Sequence, residues 1–160
     1  MKATPKTWLM LCAFVLVSFL AGAVGTILGS PMPDAWYESL TKPSFNPPSW
    51  VFGPVWSALY LLIGIAAWQA WRTRGFGGAR AAMILFAVQW ILNAAWSGLF
   101  FGLESTTLGL LDILALWAVI VAMVVTFSRA SALAGVLMIP YLLWVSFATI
   151  LNSSLWWLNR

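Results

Sequence analysis

The chain has 160 residues, of which 62% are hydrophobic and 8% charged, with a formal net charge of +4. An ordinary soluble domain carries about 25% charged residues, so the polar groups here cannot cover a water-facing core, and the membrane is the natural solvent. With no histidine and a single cysteine, Cys12, the chain has no intrachain disulfide or cysteine metal site, and it lacks the commonest general base, zinc ligand and haem ligand; its few basic residues speak of membrane topology, not of a nucleic-acid surface.

Five apolar stretches follow one another, at 7–28, 51–71, 81–103, 108–127 and 133–155. Each has about 20 residues or more, enough to cross roughly 30 Å of hydrocarbon at 1.5 Å per residue. Asp112 is the one charge inside any of them. Backbone groups in lipid must be satisfied within the segment, so these are helices, and the missing period-two alternation argues against a membrane β-barrel. The expected fold is an all-α membrane protein: one five-helix transmembrane domain over residues 1–160, with a structured loop rich in aromatics and proline between helices 1 and 2.

In the first span, Lys2 and Lys6 precede an apolar run that reaches Ala21-Gly22-Ala23, which resembles a signal peptide with its small-residue cleavage site. The run continues apolar to Leu28, and Gly25 and Gly29 form a GxxxG spacing suited to close helix packing, so a retained span is the preferred reading. The loop after it is unlike a solvated linker. Between Trp36 and Trp56 lie four of the eight prolines and three of the twelve tryptophans, with Tyr37, Phe45 and Phe52. Pro43, Pro47 and Pro48 fix their own torsions and push the preceding residues out of the helical region, so an ordered, packed loop is expected.

The other connections are short, which makes their helices antiparallel neighbours. Arg72 to Arg80, with Gly75, Gly77 and Gly78, reads as a flexible basic turn; Ser105, Thr106 and Thr107 are available as helix caps before span four. Lys2, Lys6, Arg72, Arg74, Arg80 and Arg129 fall on the N-terminal side and only Lys42 and Arg160 on the other. The positive-inside rule then puts the N-terminus in the cytoplasm of a bacterial-type cell membrane, with the aromatic loop and C-terminus outside. No internal repeat of the kind found in many secondary transporters is visible.

Trp8, Trp36, Trp50, Trp71, Trp156 and Trp157 lie near span ends, where indoles sit at headgroup level. Trp56, Trp68, Trp90, Trp96, Trp117 and Trp144 lie within spans, and their N–H groups need partners. From the outer ends of their spans, Trp56 is about 8 Å deep, Trp96 about 10 Å and Trp144 about 16 Å, all beneath the aromatic loop. Gln89, Asn93, Trp96 and Phe100 share one helical face; so do Gly53, Trp56 and Tyr60, and so do Tyr141, Trp144, Ala148 and Leu151. Polar Asn152 lies in the same half. These stripes either pack helix on helix or wall a pocket; together, in one leaflet and under a stiffened loop, they point to a pocket for a flat apolar ligand. Pro140 should kink span five. Asp112 is an intramembrane carboxylate, which by default suggests function; it sits only a turn or so into span four, where the helix N-terminus favours it and its carboxylate can reach the interface, so capping and snorkelling is the preferred reading. The spacings Gly78/Ala82 and Ala94/Gly98 offer a dimer face on span three.

Several ordered motifs carry a resemblance over nearly the whole chain. Trp36-Tyr37, Leu40-x-Lys42-Pro43, Pro47-Pro48, Val55-Trp56 and Leu59-Tyr60 resemble the first loop and second helix of the translocator protein family, whose bacterial members are the tryptophan-rich sensory proteins and whose animal members are the peripheral-type benzodiazepine receptors. Asn93-x-x-Trp96-x-x-x-Phe100-Phe101-Gly102 resembles its third helix, and Pro140-Tyr141-Leu142-x-Trp144 with Phe147-Ala148-Thr149 and Leu151-Asn152 its fifth. The resemblance implies a five-helix homodimer in the lipid bilayer that binds tetrapyrroles such as protoporphyrin IX and haem, and also isoquinoline carboxamide and benzodiazepine ligands, as a sensor or transporter in tetrapyrrole metabolism or stress response. It implies a ligand site at Trp36, Tyr37, Trp56, Tyr60, Asn93, Trp96, Phe100, Trp144, Ala148 and Leu151, formed by the first loop and helices one, two, three and five. No cofactor is required, and no catalytic or metal residue is implied. Animal members carry a cholesterol motif with a central tyrosine late in helix five; here that place reads Asn152-Ser153-Ser154, so the implication does not extend to sterols. Family members are also assigned to bacterial and mitochondrial outer membranes, which keeps that location as the alternative.

Two competing functions stand beside this one. Some family members are proposed to degrade protoporphyrin in light, with pocket tryptophans taking part; the chain lacks a histidine or a nucleophile–base pair for ordinary acid–base catalysis, which leaves photochemistry open. The other competitor is a purely structural protein whose stripes only pack. A porphyrin can stack on indoles while its propionates seek Lys42 or loop amides. With no histidine to ligate iron, metal-free and iron protoporphyrin are expected to bind with equal affinity in a fluorescence-quenching titration; a strong requirement for iron would contradict this.

Overall fold

In a computed structural model, which describes residues 5–29 and 35–160, the chain is a ring of five long helices with a short helical roof. The helices are α1 (Pro5–Leu28), the short α2 (Ala35–Ser39), α3 (Phe52–Gly78), α4 (Arg80–Ser97), α5 (Thr106–Ala130) and α6 (Ala132–Leu158). A single 3₁₀ turn, Ser49–Val51, leads into α3, and α4 ends in a π turn, Gly98–Gly102. The five long elements are each apolar and long enough to span a membrane, in agreement with the expected all-α bundle. Lys2, used above in the orientation argument, lies outside the described residues.

Neighbour contacts close the ring in the order α1–α3–α6–α5–α4 and back to α1. The short links between α4 and α5 and between α5 and α6 make the antiparallel neighbours anticipated from sequence; α3 and α4, also joined by a short link, are not neighbours, because α1 packs between them. Small residues set how closely the helices approach. A Cβ at Gly64 of α3 would stand 2.6 Å from the Cα of Val15 in α1, and one at Gly25 would stand 3.1 Å from the Ser97 hydroxyl of α4. The GxxxG pair of α1 thus packs inside the protomer, and Ala21 of the apparent cleavage motif is buried there. The same holds for span three: Ala82 and Ala94 are buried, and Gly98 faces Leu28 of α1. Of the residues offered as a dimer face, Ala82, Ala94 and Gly98 are occupied within one chain, and Gly78 is exposed.

Two ends differ from expectation. The glycine-rich basic segment is not an open turn. The helix runs on to Gly78, interrupted at Gly75, whose φ of 67° suits a residue without a Cβ. The break folds Phe76 back onto Phe14 and Trp71, at ring-centroid distances of 6.4 and 5.9 Å. Span three likewise does not continue as a plain helix to 103; it widens into the π turn, with the Leu103 amide donating to the Gly98 carbonyl at 2.8 Å. Ser105 does cap α5, accepting from the Leu108 amide at 3.2 Å. The helix α6 is continuous through Pro140.

Asp112 corrects the sequence argument. It does not reach the interface: the residue is buried, and its Oδ2 has no hydrogen-bond partner. Ser105 already serves the helix end, and the Asp112 carboxylate lies among packed helices.

The basic end of the bundle is closely packed. Ala66, Ala67 and Ala70 of α3, Ile120, Met123 and Phe127 of α5, and Ala134 and Met138 of α6 have no exposed surface. Because Gly64 leaves no room for a side chain against α1, Gly64→Leu should push α1 off the ring and cost about 1–3 kcal/mol, read as a lower midpoint of thermal unfolding in detergent; an unchanged midpoint would contradict the α1–α3 contact.

Candidate functional site

The opposite half of the ring is hollow. A cavity of about 760 Å³ lies between the helices, under the loop that follows α1. Its floor is a chain of hydrogen bonds that crosses the bundle. The Tyr60 hydroxyl of α3 donates to Asn93 Oδ1 of α4 at 2.8 Å, Asn93 Nδ2 donates to the Tyr141 hydroxyl of α6 at 3.1 Å, and that hydroxyl donates to Gln89 Oε1 of α4 at 3.1 Å. Buried polar groups in a membrane must find partners in the protein, and these four find one another. Tyr60 and Asn93 both line the cavity, so its deepest surface is polar while its walls are apolar.

The walls are aromatic. Trp56 stacks on Tyr60 at 5.4 Å and meets Tyr141 edge-on. Trp96 stacks on Phe100 at 5.0 Å and 13°, and its indole donates to Asn152 Oδ1 at 3.2 Å. Asn152 Nδ2 in turn donates to the Thr106 carbonyl, so one asparagine ties α4, α5 and α6 together beside the cavity. Trp144 packs against Phe52 and Phe147, and its Nε1 is buried without a partner. The π turn places Phe100 and the next residue, Phe101, edge-on to Tyr37, at 6.2 and 5.6 Å; such turns often mark functional positions.

The roof is held at several points. Tyr37 is buried, and its hydroxyl donates to Asn46 Oδ1 at 3.0 Å. Burial pushes the Tyr37 phenol above its ordinary pKa, opposed by the Asn46 hydrogen bond and reinforced by nearby Glu38, so the group stays neutral. Thr41 is clamped to the end of α6: its amide donates to Asn159 Oδ1 at 2.9 Å, and Asn159 Nδ2 donates back to the Thr41 carbonyl at 3.0 Å. Phe45 meets Phe147 of α6 edge-on at 6.4 Å. Lys42 is engaged with Glu38, through its carboxylate at 3.3 Å and its carbonyl at 3.1 Å, and sits 4.8 Å over the Tyr37 ring.

Of the ten residues singled out by sequence, nine line the cavity: Tyr37, Trp56, Tyr60, Asn93, Trp96, Phe100, Trp144, Ala148 and Leu151. Trp36 stands behind it, edge-on to Phe100 at 5.3 Å, where it supports the wall. The other tryptophans within spans do not contribute to the cavity. Trp68 and Trp90 donate to the Thr7 and Val17 carbonyls of α1, and Trp117 donates to the Ser146 hydroxyl of α6. Sequence reasoning missed Phe52, Phe101 and Leu155, and it missed Ile113 and Leu116 of α5, which bring a fifth helix into the wall. Phe101 was legible as the neighbour of Phe100; two ordinary aliphatic residues on α5 carry no signal of their own. Among the described residues there is no group of acidic, cysteine or histidine side chains fit to hold a metal.

Tyr141→Phe would leave Asn93 Nδ2 and Gln89 Oε1 without their shared partner. It is expected to cost about 1–2 kcal/mol of stability, measured by unfolding in detergent, with no cost if the floor network is dispensable.

Comparison with known proteins agrees with this architecture. The TspO/MBR family model matches residues 14–158. The chain is similar to the tryptophan-rich protein TspO of Chlorobaculum tepidum, 42% identical over 135 residues, covering 81% of this chain and 84% of that one. It is similar to the tryptophan-rich sensory protein of Cereibacter sphaeroides, 34% identical over 145 residues, covering 91% and 88%. The human translocator protein is 36% identical over 152 residues, covering 93% and 89%.

Proposed function

This chain belongs to the TspO/MBR family, and from that premise we propose that it is a membrane receptor for a flat tetrapyrrole, protoporphyrin IX or haem, which it binds beneath the roof in order to sense or carry it. Its family places it among integral, multi-pass membrane proteins of sensory or translocator type, as the names of its relatives say. The observation that carries the ligand assignment is the hollow itself. Its volume of about 760 Å³ falls within the roughly 300–1,000 Å³ usual for small-molecule sites. It is walled by indole and phenyl rings on which a macrocycle can stack, and it contains one buried indole N–H, on Trp144, that awaits an acceptor. Isoquinoline carboxamides, flat and carrying a carbonyl, suit the same features.

The rest of the proposal follows from charge and packing. The N-terminus lies in the cytoplasm, since Lys6, Arg72, Arg74, Arg80 and Arg129 gather at one end of the bundle. Propionates at the roof would compete with Glu38 for Lys42. A homodimer is part of the proposal, through a surface other than the Ala94/Gly98 spacing, which α1 already covers.

The test is titration of protoporphyrin IX against the protein in lipid nanodiscs, followed by fluorescence quenching. Trp144→Phe keeps a ring and removes the N–H, so affinity should fall about threefold to tenfold, the worth of one hydrogen bond. Trp56→Ala should weaken it further by removing a stacking wall. Unchanged affinity for both variants would refute the assignment. Light-driven porphyrin breakdown, favoured by the placement of Trp56 and Trp144 against one hollow, is separated by the same titration: a sensor or carrier leaves the porphyrin absorbance intact under illumination, and an enzyme bleaches it.

A further inference from the structure

The cavity wall is not closed all round. Among the described residues, every cavity-lining residue that is largely exposed lies on α1, on α3 or in the turn entering α3: Phe19, Ala23 and Thr26 on one side, and Ser49, Gly53 and Ser57 on the other. The cause is visible in the packing of α1. Its outer half leans on α4, where Gly25 and Gly29 meet Ser97 and Leu28 meets Gly98. Its close approaches to α3 come lower, at Val15 against Gly64 and at Gly22 against Tyr60. Above Gly22, Gly25 and Gly29 have Ser97 of α4 and not α3 against them, and a Cβ added at Gly53 would have nothing within 4 Å. The slot has small residues on both jambs and an aromatic sill, where Phe19 meets Tyr60 at 5.7 Å.

Depth fixes what the slot faces. Thr26 is near the end of α1, and Gly53 is the second residue of α3. At 1.5 Å per residue the opening runs from headgroup level to about 10 Å below it, alongside acyl chains. The roof meanwhile is tied to α6 through Thr41 and Asn159. We infer that the slot between α1 and α3 is a lateral portal, through which an amphiphilic aromatic ligand dissolved in the bilayer enters apolar edge first, its charged groups staying at headgroup level. The inference rests on the reading of the hollow as a ligand site and not on which ligand fills it.

The test needs no ligand. In a Cys12→Ser background, Ala148→Cys puts a thiol on the cavity wall, and its labelling in lipid nanodiscs is followed by intact mass. Lipid-soluble N-phenylmaleimide should label it, and a sulfonated, bilayer-impermeant maleimide should not. Gly53→Trp, and independently Ser57→Phe, should slow labelling about tenfold or more by filling the slot. Asn159→Ala, which loosens the roof, should leave the rate unchanged. Labelling by the sulfonated reagent at the same rate and faster in Asn159→Ala would overturn the portal in favour of entry through the roof. So would rates indifferent to both slot variants, or no labelling by either reagent. Protection of the thiol by protoporphyrin IX is read separately: a slot-dependent rate without protection keeps the portal and removes the tetrapyrrole assignment.

Discussion

Three consecutive hydrogen bonds, from Tyr60 to Asn93 to Tyr141 to Gln89, hold α3, α4 and α6 at fixed distances in the middle of the bundle. In hydrocarbon none of these groups has water to fall back on, and leaving one unpaired would cost about 1–2 kcal/mol. The spacing of the helices at that level is therefore set by the reach of a tyrosine and an amide. On the basic side of the network, alanines let the helices close into a core without exposed surface. On the other side, tryptophans and phenylalanines brace them apart, and the bundle is hollow. The polar chain is the boundary between these two regimes, and it gives the cavity its floor.

The indole N–H groups show how the tryptophans divide their work. Trp68 and Trp90 donate to backbone carbonyls of α1 and so fasten that helix to α3 and α4. Trp117 and Trp156 join α5 to α6 through hydroxyls. Trp96 reaches Asn152 across the wall of the cavity. Only at Trp144, among the described residues, is a buried indole left without a partner, and that residue faces the hollow. A buried donor without an acceptor is costly in the empty protein, so a ligand that supplies one gains what the fold has left unmade.

The roof and the slot follow from two choices made by short sequences. Proline-fixed torsions in the loop after α1 keep it from spanning the cavity as a helix, and it lies across the top instead, fastened at Thr41 to Asn159. The glycines of α1 draw its outer half toward α4, which separates it from α3 above Gly22. The same close packing that completes the ring on one side thus leaves it open on the other.

By itself the sequence determined the solvent, the number of spans, their alternating direction and the aromatic part of the cavity wall. Span length and the scarcity of charge are set by the bilayer, and helical spacing puts Asn93, Trp96 and Phe100 on one face whatever they meet. Only the tertiary structure decided what those faces meet. Asp112 is buried and not at the interface because packing by α4 and α6 around α5 lies outside the reach of a one-helix argument. The Ala94/Gly98 spacing looks the same whether its partner is a second protomer or α1, and the answer depends on which helix lies beside it. Ile113 and Leu116 became cavity residues, and Asn159 a clamp, through the closing of the ring, since a contact between residues far apart in the chain leaves no periodic trace in either segment.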